Sequence, residues 1–150
     1  MSIKQHIDQN IKAALLSGDK DLVTTLRGLK SAILYAEVAA RAKEKGLDEP
    51  AIVDVLQKET KQRQDSADLY EKGGDATRRD KELAEKSIIE EYLPAQLTDA
   101  ELNQLVDAAI AEQGPLTLRM MGQVIGAVKV ASNGQADGGR IATLVKARLP

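Results

Sequence analysis

The feature that most constrains the fold is the segment around Pro94, where one helical region ends and another begins. Proline lacks an amide hydrogen and its ring clashes with the preceding turn, so a helix must end before it. Thr98 can cap a new helix, and Glu101 is placed to complete a capping box with it. Leu97 and Leu102 have the spacing of the hydrophobic staple that accompanies such a start. The sequence therefore predicts two helical parts, one before this joint and one after it.

The composition also favours helices. Hydrophobic residues make up 43% of the 150 residues, but Phe and Trp are absent and only three Tyr are present. A core of Leu, Ile, Val and Ala favours helices over a sheet sandwich. We therefore predict an all-α fold, in which an N-terminal antiparallel helical domain spans residues 1–93. A C-terminal three-helix bundle is predicted over residues 98–150.

Before the joint, apolar residues recur at helical spacing in four segments. The first segment ends at Gly18, and the second is predicted to run to about Lys45. Asp48 is placed to cap the third segment. Gly73 begins a turn to a fourth helix, which Asp75 is placed to cap and which is predicted to reach Tyr92.

After the joint, glycine-containing turns separate three shorter helical segments. The first is closed at Gly114, and Thr117 is predicted to cap the second, over residues 118–128. A turn at Asn133 follows, and Asp137 is predicted to cap the last helix.

The sequence contains no constellation typical of catalysis or of a cofactor site. The chain has no cysteine and a single histidine, His6, which excludes thiolate chemistry and histidine-rich metal sites. The serines are not set beside a general base and an oxyanion hole. The Gly-rich segment before Arg140 lacks the residue order of a phosphate-binding P-loop. We therefore predict no catalytic residue, no metal and no cofactor.

The charge and the hydropathy of the chain indicate where the protein is located and which partners it does not bind. The chain begins without a basic region followed by an apolar run, and no stretch approaches the roughly 20 apolar residues that cross a bilayer. The net charge of −2 disfavours strong non-specific binding to nucleic acid. These features predict a cytoplasmic protein with no membrane partner and no DNA partner.

Gly122 and Gly126 fall on the same face of one predicted helix. A glycine inside a helix costs about 1 kcal/mol relative to alanine, so each calls for a reason. The favoured interpretation is that a neighbouring helix packs closely against them, and the alternative is the close approach of an RNA backbone. A membrane dimer is disfavoured because Arg119 and Lys129 bracket the apolar run.

A polar run follows the apolar start of the third segment and extends from Lys58 to Arg63. Charge runs on helices are usually solvated faces. Pairs at i,i+4, such as Glu59 with Arg63, stabilise such faces by only about 0.2–0.5 kcal/mol each. The alternative is a polar contact surface that includes Lys58 and Lys61.

Five motifs together resemble the GatB/YqeY family, in particular its free-standing YqeY-like proteins. They follow the family's order along nearly the whole chain: Thr25-Leu26-Arg27, Leu56-Gln57-Lys58-Glu59-Thr60-Lys61-Gln62-Arg63, Glu91-Tyr92-Leu93-Pro94-Ala95-Gln96-Leu97, Met121-Gly122-Gln123-Val124-Ile125-Gly126-Ala127 and Ala136-Asp137-Gly138. The third and fourth motifs in combination are the most specific part of the resemblance.

The resemblance implies a relation to the C-terminal tail of the B subunit of the glutamine-dependent aspartyl/glutamyl-tRNA amidotransferase. A similar module is appended to some glutaminyl-tRNA synthetases. In those proteins the module helps to hold tRNA, and other parts perform the chemistry. The family label of a carbon–nitrogen ligase with glutamine as amido donor would therefore reach this chain by association only.

The resemblance leads us to expect a non-catalytic, tRNA-associated accessory module. The alternative is a protein-interaction module that docks on an aminoacyl-tRNA synthetase or an amidotransferase without touching RNA. RNA contact would go through phosphates and shape, because the chain lacks an aromatic platform for bases. After Gln113 five cationic residues stand against one acid. With the polar run, this tail supplies seven candidates for RNA contact: Lys58, Lys61, Arg63, Arg119, Lys129, Arg140 and Lys146.

Overall fold

The computed structural model describes residues 1–150 and contains seven α-helices and no strand, which confirms the all-α prediction. The helices are α1 Ile3–Ser17, α2 Lys20–Ala39, α3 Glu49–Lys72, α4 Ala76–Glu90, α5 Asp99–Gln113, α6 Met121–Ser132 and α7 Gly138–Lys146. Contacts group them into two compact units, Met1–Tyr92 and Leu93–Pro150. Independent domains over 1–93 and 98–150 stay a prediction that isolated fragments would test.

In the first unit, α1 packs on α2 and α3 packs on α4. Gly18 ends α1 with a φ of 76°, in the left-handed region that glycine tolerates best. Asp19 and Asp48 cap α2 and α3, since their carboxylates accept from the amides three residues later. The buried core of this unit is aliphatic and comprises Ile7, Ala14, Val23, Leu26, Leu29, Ile33, Ile52, Val53, Leu56, Ala67 and Ile89.

The prediction that α2 runs to Lys45 is wrong, because the helix ends at Ala39. Arg41 adopts a left-handed φ of 56° there. The Ala42 amide then donates to the carbonyl of Glu37 at 2.7 Å, which closes the helix end in the manner of a Schellman motif. A glycine normally marks such an end, so the sequence carries no clear signal for it.

The fourth helix begins where it was predicted and ends slightly earlier. Asp75 accepts from the amide of Arg78 at 3.1 Å and so caps α4. The helix stops at Glu90 instead of Tyr92. The Tyr92 hydroxyl instead accepts a hydrogen bond from the Asn10 amide group of α1 at 2.6 Å. The pKa of the Tyr92 hydroxyl is raised, mainly because the side chain is partly buried.

The second unit begins with the predicted capping box. The Thr98 hydroxyl accepts from the Glu101 amide at 3.2 Å, and the Glu101 carboxylate accepts from the Thr98 amide at 2.9 Å. Leu97 packs against the same core as the fully buried Leu102, as the predicted staple requires. That core is shared by all three helices and consists of Leu102, Val106, Ala109, Leu116, Val124, Val128, Ala136, Ile141 and Val145.

The helix predicted over residues 118–128 lies further along the chain, at Met121–Ser132. The Thr117 hydroxyl accepts from the Met120 amide at 3.3 Å, but residues 118–120 form a turn before α6 and are not its first helical turn. The prediction that Thr117 caps the helix is therefore wrong, and α6 begins at Met121 without a side-chain cap. Asn133 ends α6 with a left-handed φ of 48°, and Asp137 caps α7 as predicted.

Candidate functional site

The exposed side of α6 is unusually bare. We call it the glycine face and define it by its exposed residues Gly122, Gln123, Gly126, Lys129 and Val130. The two glycines are one helical turn apart, roughly 6 Å along the axis. The opposite side of α6 is anchored by Val124 and Val128, which are both fully buried.

Nothing packs on the two glycines of this face. A Cβ built on Gly122 or on Gly126 would meet no heavy atom within 4 Å. The favoured interpretation from the sequence, that a neighbouring helix packs closely on these glycines, is therefore wrong. Each glycine still lowers helix stability by about 1 kcal/mol relative to alanine, and packing within the chain gives no reason for it.

Cationic and apolar side chains frame this face. Arg119 is exposed in the turn that precedes α6, and Lys129 is exposed in its last turn. Leu118 and Val130 are apolar but 79% and 82% exposed. No aromatic residue occurs between Leu93 and the end of the chain. The face can therefore offer positive charge and close backbone approach, but no surface for base stacking.

Arg140 is held by contacts within the second unit. Its guanidinium Nη2 donates to the carbonyl oxygen of Leu97 at 2.9 Å and to Asp99 Oδ1 at 2.8 Å. The Asp137 carboxylate accepts from the Arg140 amide at 2.9 Å. The Gly-rich segment before α7 is thus a turn and a helix cap, as the sequence predicts, and Arg140 links it to the start of α5.

The other two cations of the C-terminal tail, Arg148 and Lys146, also differ in whether the unit uses them for its own contacts. Arg148, which was not among the candidates, forms an ion pair with Asp107 and donates to Asn103 Oδ1 at 3.1 Å. Lys146 is exposed in the last turn of α7. Two of the five tail cations are therefore used within the unit, which reduces the positive charge available for a ligand.

The three candidates on α3 are also distinct from one another. Lys58 and Lys61 are exposed. Arg63 forms an ion pair with Glu59, and the two side chains are only 18% and 17% exposed. The predicted i,i+4 pair of Glu59 with Arg63 is therefore present and uses Arg63 within its helix, while Lys58 and Lys61 remain accessible.

A buried carboxylate that was not among the candidates lies in the first unit. Glu37 is only 3% exposed, and its Oε2 accepts from the Leu47 amide at 2.9 Å and from Lys4 Nζ at 3.0 Å. The backbone hydrogen bond from Leu47 and the hydrogen bond from Lys4 hold the pKa of Glu37 below its usual range. The sequence carried one signal for it, since Glu37 falls four residues after Ile33 on the apolar stripe of α2.

No group of three or more His, Cys, Asp or Glu residues is arranged to hold a metal ion. None of the seven helices combines the length and the hydropathy that a membrane span needs.

Comparison with known proteins adds a family and two relatives. The family model described as "Yqey-like protein" matches residues 4–149. Two relatives are both named "Altered inheritance of mitochondria protein 41, mitochondrial". The relative from Eremothecium gossypii is 34% identical over 90 residues, which cover 60% of this chain and 48% of that protein. The relative from Lachancea thermotolerans is 33% identical over 110 residues, which cover 71% of this chain and 57% of that protein. The chain thus spans about half the length of these relatives.

Proposed function

Because the chain belongs to the YqeY-like protein family, we propose that it is a tRNA-associated accessory module without a catalytic centre of its own. The single observation that carries the proposal is the exposed glycine face of α6. Two helix-interior glycines stand there with nothing packed on them, beside an exposed arginine and an exposed lysine.

The glycine face suits a folded RNA backbone. The absence of a Cβ at Gly122 and Gly126 lets a sugar–phosphate chain come close to the helix. Arg119 and Lys129 would then meet phosphate oxygens from the two ends of the face, and the Gln123 amide could hydrogen-bond to a ribose hydroxyl. Contacts of this kind read shape and charge, so they fit a double-stranded part of tRNA better than a single strand.

The resemblance to the tail of the amidotransferase B subunit supports the same proposal. In that setting the module holds tRNA and leaves the chemistry to other parts. Here the corresponding role would be to present tRNA to a synthetase or an amidotransferase. The carbon–nitrogen ligase label would then describe the partner's reaction.

Binding of a fluorescently labelled tRNA, followed by anisotropy at about 50 and 200 mM salt, tests the proposal. We expect binding that weakens steeply with salt, because the protein displaces counterions from each phosphate that it neutralises. Each such phosphate makes the plot of log K against log salt steeper by roughly 0.7–0.9. Gly126→Leu should weaken binding by blocking the approach, and Arg119→Ala should also lower the slope.

Gly28→Leu is the matched control, because Gly28 is another exposed helical glycine with open space around it. It should leave tRNA affinity unchanged. The proposal is wrong if tRNA does not bind at 50 mM salt, or if Gly126→Leu binds it as well as the unchanged protein.

A protein-interaction module that docks on the same machinery without RNA is the second candidate. The observation in its favour is the pair of exposed apolar side chains, Leu118 and Val130, that accompany the glycine face. Binding to a partner protein through this surface would depend weakly on salt.

The cytoplasmic location stays a prediction. The names of the two relatives describe mitochondrial proteins.

A further inference from the structure

An apolar ridge runs along the outer side of α2, in the first unit and away from the glycine face in sequence. Its members are Leu34, Tyr35 and Val38, which are 47%, 74% and 52% exposed. They lie within about one turn of each other on a helix whose other large apolar side chains are buried or partly buried. Exposed apolar residues that cluster in this way mark a surface that another molecule covers.

A groove lies on each side of the ridge. The groove between α1 and α2 has a volume of about 570 Å³ and includes Ile7, Ile33 and Leu34 in its lining. The groove between α2 and α3 has a volume of about 430 Å³ and is lined on the α2 side by small residues and Tyr35. Ser31 lines both grooves, so the ridge and its two grooves form one continuous surface.

The charges of this surface are not balanced. Three acids line the grooves, and each is already paired: Asp8 with Lys30, Glu37 with Lys4, and Glu59 with Arg63. Two cations that line the grooves remain exposed and outside any ion pair, Arg27 in the first groove and Lys58 in the second. An apolar ridge with an unpaired cation in the groove on either side is complementary to an apolar stripe flanked by acids.

From this arrangement we infer that the outer face of α2 binds an acidic amphipathic helix of a protein partner. The partner's apolar stripe would cover Leu34, Tyr35 and Val38, and its flanking carboxylates would meet Arg27 and Lys58. This is the helix-in-groove mode of recognition, with anchors at i, i+3, i+4 and i+7. The inference stands apart from the proposed tRNA function, which uses α6.

Two other occupants fit less well. RNA would gain little from Leu34 and Val38, because aliphatic side chains neither pair with phosphates nor stack with bases. A second copy of this chain would bring the same unpaired cations, Arg27 and Lys58, to the contact. Like charges at an interface cost binding energy, so a separate acidic helix is the better match.

The probe is a fluorescein-labelled synthetic helix of about 18 residues, with Leu at i, i+3, i+4 and i+7 and Glu at the flanking positions. Anisotropy should show binding to the full chain. Tyr35→Ala and Arg27→Glu should each weaken binding by about ten-fold, the size expected for an interface anchor. A peptide with Lys in place of Glu should not bind.

Leu16→Ala is the matched control, since Leu16 is 91% exposed and lines neither groove. It should leave peptide affinity unchanged, and so should Gly126→Leu. The inference is overturned if the acidic peptide does not bind, or if it binds Tyr35→Ala and Leu16→Ala equally well. It is also overturned if light scattering shows a dimer that Tyr35→Ala disrupts, or if Tyr35→Ala abolishes tRNA binding.

Discussion

The guanidinium Nη2 of Arg140 donates a hydrogen bond to the backbone carbonyl of Leu97 at 2.9 Å. The Leu97 amide in turn donates to the carbonyl of Gln135 at 2.8 Å. Both backbone polar groups of the residue before the α5 cap are therefore satisfied, one by Gln135 in the segment between α6 and α7 and the other by Arg140 in the first turn of α7. A residue that looked like an RNA contact in the sequence thus holds together the second unit.

Arg140→Ala should lower the free energy of unfolding of the second unit by about 1–2 kcal/mol, because it removes two charge-assisted hydrogen bonds at a half-exposed site. Chemical unfolding followed by circular dichroism measures this change. Lys146→Ala, on the same helix but exposed, should change stability by less than about 0.5 kcal/mol. Equal effects of the two substitutions would contradict a structural role for Arg140.

A fragment of residues 93–150 should be more stable than one of residues 98–150. The shorter fragment lacks Leu97, which packs on the core and makes two backbone hydrogen bonds with the rest of the unit. The loss should amount to about 1–3 kcal/mol. Thermal unfolding of the two fragments checks this, and equal melting temperatures would place the true start of the unit at Thr98.

Gly126→Ala should raise the stability of the second unit by up to about 1 kcal/mol. Alanine loses less conformational entropy in a helix, and its Cβ would meet no heavy atom within 4 Å. Chemical unfolding gives the stability, and the tRNA assay gives the affinity. A variant that is more stable but binds tRNA less well would show that the glycine is kept for a contact outside the chain. A destabilised variant would mean that the bare face is absent in solution.

The free energy of unfolding of the first unit should depend on pH, because Glu37 is protonated at low pH. The pKa of Glu37 is lower in the folded protein than in the unfolded chain, so its contribution is fully present above the unfolded value. As the pH falls through the lower pKa of the folded state, the carboxylate is protonated and this contribution is lost.

Glu37→Gln should therefore cost roughly 1–3 kcal/mol at pH 7, and the difference from the unchanged protein should shrink below about pH 4. Unfolding curves between pH 3 and 7 measure it. Glu44→Gln serves as the control because Glu44 is exposed in the turn that follows α2. A difference that stays constant over the whole pH range would show that Glu37 acts through its shape and not through its charge.

Much of the fold could be predicted from local signals. Asp48, Asp75, Thr98 and Asp137 cap helices as predicted, since a cap depends on residues only three positions apart. The end of α2 could not be predicted, because Arg41 takes a conformation usually left to glycine. The segment after this helix end also contacts the helix, since the Leu47 amide donates a hydrogen bond to the Glu37 carboxylate.

The candidate site, like the fold, could be predicted from the sequence only in part. The position of Gly122 and Gly126 on one helix face followed from their spacing of four. Which interpretation of the pair was correct did not follow, since only packing shows whether a neighbour covers a helix face. The same holds for Arg140, whose partners are more than 40 positions away in sequence.

By itself, the sequence determined the helical class, most helix starts and the joint at Pro94. These depend on side chains, prolines and apolar spacing acting over one or two turns, so neighbours in sequence suffice. Only the tertiary structure decided which cations are available and which faces are bare. Arg63, Arg140 and Arg148 are drawn into ion pairs, while Gly122 and Gly126 on α6 and the ridge on α2 are left uncovered. Such outcomes depend on which distant groups fold into contact, because a charge or an apolar surface is available to a ligand only where the fold brings no partner to it.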